Sequence, residues 1–204
     1  MGRVLVLFIC VFLSFGLQSQ GSAKANSKRS FADVVQNACY IVRVPVSAVK
    51  IKYYEEKIAQ RGLSNEVRQR YEKDLSETLE ENKAYINLLQ ASFTSHFSLG
   101  NVYFLPDSSY KSFVAGQRTG FINQAGALDK SITCPHDENY FLISGKYKEQ
   151  LLFLDQHLHK LDPPFPYKKN TFLPIFKLVL NRKKYIESQV KYLDNKLNPT
   201  GYIE

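Results

Sequence analysis

The chain has 204 residues and a formal net charge of +8, with 44% hydrophobic and 23% charged residues. These values exclude a collagen-like fibre and a chain that is disordered over most of its length. The length is sufficient for one domain with its own hydrophobic core, and residues 26–204 are expected to form that domain.

Residues 1–25 have the features of a secretory signal peptide. Arg3 is followed by an uncharged, mostly apolar run over 4–17, which is shorter than the roughly 20 residues of a membrane-spanning helix. Small residues favour cleavage after Ala23 or Ala25, and cleavage after Ala25 lowers the net charge to +6. We therefore expect an exported protein that is not integral to a membrane after cleavage. It would be periplasmic, extracellular or peripheral on an envelope membrane.

The region 26–98 is predicted to be helical. The spacing of apolar residues predicts a short helix over 30–43 and a second helix from an N-cap at Ser47 to about Arg61. Gly62 is expected to adopt the left-handed conformation that ends the second helix, and Ser64 is expected to cap a long third helix.

The third helix carries a heptad-like seam, which is typical of a coiled coil. Six apolar residues and one asparagine recur in steps of three and four: Tyr71, Leu75, Leu79, Asn82, Ile86, Leu89 and Phe93. Because the connection between the two helices is short, they are predicted to form a long antiparallel helical hairpin.

The region 99–167 is predicted to form a small sheet of three or four strands. Short apolar runs bounded by turn residues indicate strands, with a helical turn over 109–116. The runs lie at 99–106, 120–123, 139–144 and 150–155. Leucine spacing over 151–161 also fits a helix, so the last strand has a helical alternative.

The region 168–204 is predicted to be a basic amphipathic helix with a tail. Thr171 is expected to cap it, Pro174 fits its first turn, and Asn198-Pro199 should end it. Together the three regions predict an α+β fold that is mainly helical.

Two cysteines, Cys39 and Cys134, remain after signal cleavage. In an oxidising compartment they are candidates for one disulfide. The alternative is two separate buried thiols, since the sequence does not give the distance between their Cα atoms.

No pattern in the sequence predicts catalysis or a cofactor, and we assign no catalytic residue. A Gly-x-Ser-x-Gly elbow and a glycine-rich phosphate loop are both missing from the sequence. Cys134, His136 and His157 are weak metal candidates, because Cys134-x-His136 is too short for the usual zinc-finger spacing. A metal-dependent hydrolase built around these three residues is one alternative function.

The leading hypothesis is a non-enzymatic binding protein of the bacterial cell envelope. The absence of an Asn-x-Ser/Thr sequon favours a bacterial source. The hairpin should expose apolar side chains to a protein partner, and Tyr53, Tyr85 and Leu88 are the candidates. In outline, a small basic exported protein with a helical hairpin resembles periplasmic chaperones with helical arms, which implies holdase activity as an alternative.

The basic C-terminal helix gives another alternative. Arg182, Lys183 and Lys184 are candidates for binding an anionic membrane or polysaccharide surface. Nucleic acid is not an expected partner, because the protein is expected to be exported.

Overall fold

The computed structural model describes five segments of the chain: 31–134, 140–145, 150–155, 157–169 and 174–198. Three predictions concern residues outside these segments, namely the signal peptide over 1–25, the metal role of His136 and the helix cap at Thr171. None of the helices in the described segments combines the length and apolar composition of a membrane-spanning helix.

The predicted α+β class is confirmed. The elements in chain order are α1 (Phe31–Gln36), β1 (Cys39–Val44), α2 (Ala48–Ile58), α3 (Asn65–His96), β2 (Asn101–Pro106), α4 (Tyr110–Val114), β3 (Thr119–Ile122), β4 (Leu128–Thr133), β5 (Tyr140–Gly145), β6 (Leu151–Leu154) and α5 (Pro174–Leu197). A 3₁₀ turn, Asp107–Ser109, precedes α4, so the predicted helical turn over 109–116 is confirmed.

The strands form one six-stranded sheet in the order β4-β3-β2-β1-β5-β6. The central strand β1 is parallel to both neighbours, β2 and β5, whereas the outer pairs are antiparallel. The sheet is therefore larger than the predicted three or four strands, and β1 comes from the region that was predicted to be helical. The uncertainty over 151–161 is settled in favour of a strand over Leu151–Leu154.

The predicted helix over 30–43 is wrong beyond Gln36. There α1 ends, and Cys39–Val44 form β1, which is buried on both faces except for a half-buried Arg43. Strands covered on both sides have continuous apolar runs instead of an alternating pattern. Such a run fits helical spacing equally well, so periodicity alone could not identify it.

Strand β4 was not predicted because it has no apolar run. It lies at the edge of the sheet, and its side chains are exposed or half-buried. Polar and charged side chains such as Asp129 and Lys130 are common on edge strands, where they discourage pairing with other chains.

The sheet has a hydrophobic cluster on each face. On one face, alternate residues of β1 pack with α3 and α5; Tyr40, Val42, Leu89, Phe93 and Ile186 belong to this cluster. On the other face, Cys39, Ile41 and Leu105 pack with Phe113 of α4, and Leu158 and Tyr167 add to that cluster. The sheet thus lies between a layer of two long helices and a thinner layer of short segments.

The antiparallel hairpin of α2 and α3 is confirmed. Gly62 has φ +85° in the connection, and the Ser64 side chain accepts a hydrogen bond from the Val67 backbone N–H at 3.4 Å. Ser47 precedes α2 but makes no side-chain cap; its hydroxyl instead lies 3.4 Å from the Asn82 side-chain oxygen.

The buried stripe of α3 departs from the predicted seam. Its buried residues are Thr78, Asn82, Tyr85, Ile86, Leu89, Ser92 and Phe93, while Leu79 of the predicted seam is 48% exposed. Leu79 lies before the part of α3 that the sheet and α5 cover, so this residue of the seam stays exposed.

Helix α5 changes direction at Asn181, whose backbone is non-helical (φ −162°, ψ 85°). The Asn181 side-chain oxygen accepts a hydrogen bond from the Lys184 backbone N–H at 2.9 Å, as an N-cap does for the turn that follows. From there the helix buries one side against the sheet through Ile186, Val190 and Leu193.

Candidate binding surfaces

The hairpin projects an accessible surface, which we call the arm: α2 together with residues 65–79 of α3. Helix α2 contains no buried residue. Among the described residues, six large hydrophobic side chains are exposed, and four of these belong to the arm: Val49 (86%), Tyr53 (46%), Val67 (40%) and Leu79 (48%). The arm therefore holds most of the exposed large apolar side chains in the described segments.

Three tyrosine rings hold the two helices of the arm together. The rings of Tyr53 and Tyr54 lie 6.2 Å from the ring of Tyr71, and a side-chain hydrogen bond with Tyr53 raises the pKa of Tyr71. The ammonium groups of Lys50 and Lys57 lie 5.6 Å from the rings of Tyr54 and Tyr53. Tyrosine is enriched at protein interfaces, and the attraction of an ammonium group to a tyrosine ring helps to hold that ring in place.

Polar contacts fix the root of the arm to the domain. Asn82 is buried, and its side-chain N–H donates to the Val46 carbonyl oxygen at 2.6 Å. The Val46 backbone N–H donates in turn to the Asp107 carboxylate at 3.2 Å. These bonds connect the β1–α2 loop to α3 and to the 3₁₀ turn after β2, so they set where the arm leaves the sheet.

Recesses lie on both sides of α2. One, of about 740 Å³, is lined by Val49, Tyr53 and Asp107 among others. The second, of about 470 Å³, lies between the arm and the β3–β4 turn and includes Ile51 and Leu79. Three of the four exposed apolar residues of the arm, Val49, Tyr53 and Leu79, therefore border concave surfaces that can receive side chains of another molecule.

The three predicted partner-contact residues have different environments. Tyr53 is exposed on the arm as expected. The expectation of an exposed Tyr85 is wrong: it is 4% exposed and lies 4.8 Å below the guanidinium of Arg182. Leu88 is also misplaced, since it is half-buried and packs against the core. Both residues lie beyond the arm, where the sheet and α5 cover α3.

The predicted anionic-surface residues lie in the first turn after Asn181. Lys183 and Lys184 are exposed, while Arg182 is half-buried against Tyr85. Within 181–198 of α5, the exposed side chains are Asn181, Lys183, Lys184, Lys191, Asn195 and Lys196. The two acids of this segment are half-buried: Glu187 lies 3.8 Å from Lys183, and Asp194 accepts hydrogen bonds from the Ser98 backbone and hydroxyl.

The candidate disulfide is not formed. Cys39 and Cys134 are both buried as thiols in the cluster on the thinner side of the sheet. Cys39 begins β1 and Cys134 follows β4, with β2 and β3 between those strands. Neighbouring strands are about 4.8 Å apart, whereas a disulfide needs Cα atoms within about 7 Å. Burial, together with the two thiols, raises the pKa of Tyr103.

The candidate metal residues are not brought together within the described segments. Cys134 is buried, whereas His157 is exposed in the loop after β6. The Asp155 carboxylate accepts hydrogen bonds from the backbone N–H groups of His157 and His159, so this acid has a structural role in the loop. In these segments no three His, Cys, Asp or Glu side chains are arranged to hold a metal ion.

Sequence analysis missed a cleft that the described segments form at the end of α3. The cleft has a volume of about 810 Å³ and lies between the C-terminal end of α3 and strands β2 and β3. Asn101, Tyr103 and Gln124 are among its lining residues. Asn101 and Tyr103 lie in β2, and Gln124 lies about twenty residues later in the β3–β4 connection, with no motif that links the two segments.

Comparison with known proteins gives no relative from which a role could be transferred. No protein-family model, no curated protein and no solved structure matches the chain.

Proposed function

We propose that the protein is a non-enzymatic binding protein, exported to the bacterial cell envelope, and that the arm contacts a protein partner. The observation that carries the proposal is the exposure of Val49, Tyr53, Val67 and Leu79 on one projecting hairpin. Val49 and Tyr53 line the same recess, and apolar side chains that adjoin one another on the surface mark interaction sites more often than isolated ones do.

Two features of the arm favour a partner with a defined shape. The tyrosine cluster and the hydrogen bonds of Asn82 hold the two helices in one arrangement, so little conformational entropy is lost on binding. The recesses beside α2 offer sites for apolar side chains, and such filled pockets carry most of the binding energy in protein interfaces.

Substitution on the arm tests this proposal. The double variant Val49→Ser, Tyr53→Ser should stay folded, because α2 buries no residue, and should lose at least tenfold in affinity for the partner. Its unfolding temperature should fall by only about 2–4 °C, since the contacts of Tyr53 with Tyr71 are lost. The matched control is Val114→Ser, an equally apolar exposed position on α4. The partner is first identified by affinity purification from the envelope, and affinity is then measured by calorimetry with the purified partner.

Equal affinity of the double variant and the wild type would reject the arm as the contact surface. Suppression of aggregation of many unfolded proteins, without a stoichiometric partner, would replace the proposal with holdase activity. Export is tested separately by N-terminal sequencing of the envelope-localised chain, which should begin at Lys24 or Asn26. An intact N-terminus in the cytoplasmic fraction would reject export.

The exposed side of α5 supports a second candidate function, peripheral binding to an anionic surface. Its exposed side chains within 181–198 are lysines and asparagines, and its acids are half-buried. Each lysine near an anionic membrane contributes about 1 kcal/mol to binding, so the four exposed lysines suffice for weak, salt-sensitive attachment.

Vesicle sedimentation tests this second function. Phosphatidylglycerol vesicles should bind the mature chain at low salt and release it at 1 M salt, where the Debye length is about 3 Å. The triple variant Lys183→Gln, Lys184→Gln, Lys191→Gln should lose binding, whereas Lys111→Gln, Lys130→Gln should keep it, since those exposed lysines lie elsewhere. Binding that is independent of salt, or equal in both variants, would reject this function.

A further inference from the structure

The cleft between α3 and the sheet forms where β2 extends beyond the end of its pairing with β3. Strands β2 and β3 are paired at Phe104 and Ile122, after which the chain turns into the β3–β4 connection. Strand β2 begins three residues before its paired position, so Asn101–Tyr103 line one side of the cleft. Residues at the end of α3, including Gln90 and Thr94, line another side.

The composition of the lining is unusual for a chain with 23% charged residues. None of the sixteen residues that line the cleft carries a charged side chain, whereas seven have an amide or a hydroxyl group: Gln90, Thr94, Ser95, Asn101, Tyr103, Asn123 and Gln124. An ionic ligand would lose its hydration here without gaining a counter-charge, and this cost disfavours it. The lining therefore suits a neutral ligand with many hydrogen-bonding groups.

Aromatic rings form the apolar part of the cleft. Phe93, Phe104 and Phe121 are buried beneath it, while Phe97 and Tyr103 are half-buried. The Phe97 ring lies 5.5 Å from Phe93, and the Tyr103 ring lies 5.1 Å from Phe121. These contacts hold the two accessible rings in place before any ligand arrives, which lowers the cost of binding.

Two amides of the lining are also fixed. The Asn123 side-chain oxygen accepts hydrogen bonds from the backbone N–H groups of Ala125 and Ala127, both at 3.0 Å. The Gln90 side-chain N–H donates to the Asn123 carbonyl oxygen at 2.8 Å, across the cleft from helix to turn. An amide whose N–H group is held in this way keeps its oxygen available as an acceptor. Amides offer both donors and acceptors, which matches hydroxyl groups, since each hydroxyl also donates and accepts.

We infer that this cleft binds a neutral carbohydrate, a mono- or disaccharide or the end of a longer glycan. The Phe97 ring belongs to the cluster on the α3 side of the sheet and the Tyr103 ring to the cluster on the other side, so each can pack against the apolar C–H face of a different sugar ring. The hydroxyl groups of the sugar match the amides of the lining. The volume of about 810 Å³ is within the range of roughly 300–1,000 Å³ that is typical of small-ligand sites. The cleft shares no residue with the arm, so this site is independent of the proposed function.

Calorimetric titration with neutral disaccharides tests the inference. The probes are cellobiose, maltose and N,N′-diacetylchitobiose, with uronic acid and amino-sugar analogues of the same size as charged counterparts. At least one neutral probe should bind to the full chain, and its charged counterparts should bind at least tenfold more weakly, because the cleft has no charge to pair with them.

Variants locate the site. Asn101→Asp keeps the side-chain size but adds a charge at an exposed position of the cleft, and it should weaken binding at least tenfold while leaving the unfolding temperature unchanged. Asn87→Asp, at an exposed position of α3 outside the cleft lining, should bind like the wild type. Tyr103→Ala should abolish binding, and the double arm variant Val49→Ser, Tyr53→Ser should leave it intact.

Three results would overturn the inference. The first is that none of the neutral saccharides binds at millimolar concentration. The second is that saccharide binding is equal in the wild type, Asn101→Asp and Tyr103→Ala. The third is that the saccharides do not bind, whereas an uncharged tripeptide binds to the wild type and binds more weakly to Asn101→Asp. That result would assign the cleft to extended peptides.

Discussion

The two halves of α3 have similar residue spacing but different environments. Six of its seven buried residues follow residue 80, where the sheet and α5 cover the helix. In the first half, within the arm, Tyr71 and Leu75 are half-buried and Leu79 is exposed. The same heptad-like pattern is therefore buried in the core in the second half and accessible at the surface in the first half. The difference arises because the sheet and α5 cover only the second half.

The largest expected difference between the halves is in the free energy of unfolding that is lost when a leucine is replaced by alanine. Leu89→Ala, at a fully buried position, should lower the free energy of unfolding by about 3–5 kcal/mol, since it leaves a cavity. Leu75→Ala, half-buried in the arm, should cost less than about half as much. Chemical denaturation measures both values, and equal costs would contradict the division of α3 into core and arm.

Glycines at the two ends of α3 give the next contrast. Gly100 has φ +52°, and a Cβ there would lie 2.8 Å from the Ala38 carbonyl oxygen, whereas Gly62 has φ +85° and open space around it. Gly100→Ala should therefore cost about 2–4 kcal/mol from strain and overlap together, and Gly62→Ala about 1–2 kcal/mol from strain alone. Thermal unfolding separates the two, and the reverse order would contradict the close approach of β2 to the end of α1.

The boundary between the halves depends on Asn82. Asn82→Ala removes the donor to the Val46 carbonyl oxygen inside the fold, and it should cost about 1–3 kcal/mol. Asn87→Ala, exposed on the same helix, is the matched control and should change stability by less than about 0.5 kcal/mol. If both variants unfold at the wild-type denaturant concentration, the Asn82 bond does not hold the root of the arm.

The smallest expected effect concerns a hydroxyl in the core. Tyr40 donates to the Val35 carbonyl oxygen at 2.7 Å, and burial, with a smaller effect of Asp194, raises the pKa of Tyr40 above its ordinary value of 10.0. The contribution of the Tyr40 hydroxyl to stability is therefore complete below pH 10. It is lost as the pH rises toward the pKa of Tyr40 in the folded protein, because Tyr40 ionises first in the unfolded chain.

Tyr40→Phe should cost about 1 kcal/mol at neutral pH and reduce the loss of stability above pH 10. Tyr54→Phe removes one hydroxyl from the arm and serves as the control. The measurement is the free energy of unfolding from pH 7 to 11. An unchanged alkaline decline in Tyr40→Phe would show that other groups cause it.

The sequence was sufficient for features that depend on local chemistry. The cap at Ser64, the left-handed Gly62 and the length of α3 follow from side-chain and backbone preferences within a few residues. Strand β1 could not be predicted in this way, because its burial on both faces depends on strands more than fifty residues away. The exposure of Leu79 likewise depends on where the sheet ends beneath α3.

Candidate sites were predictable to a smaller extent. Tyr53 was identified correctly as exposed because it lies on the hairpin outside the seam, but Tyr85 was not, since α5 covers it through Arg182. The uncharged cleft had no signal at all in the sequence. Its residues acquire a common environment only when the end of α3 meets the free end of β2.

The central claim is that the arm is the surface that meets a protein partner. A photo-crosslinking residue placed at Val67 on the arm and, in a second variant, at the equally exposed Val114 on α4 tests this claim in whole cells. We expect a single adduct of defined mass from position 67, its loss when Val49→Ser and Tyr53→Ser are added, and no adduct from position 114. Adducts of the same yield from both positions, or an adduct from position 114 alone, would contradict the claim.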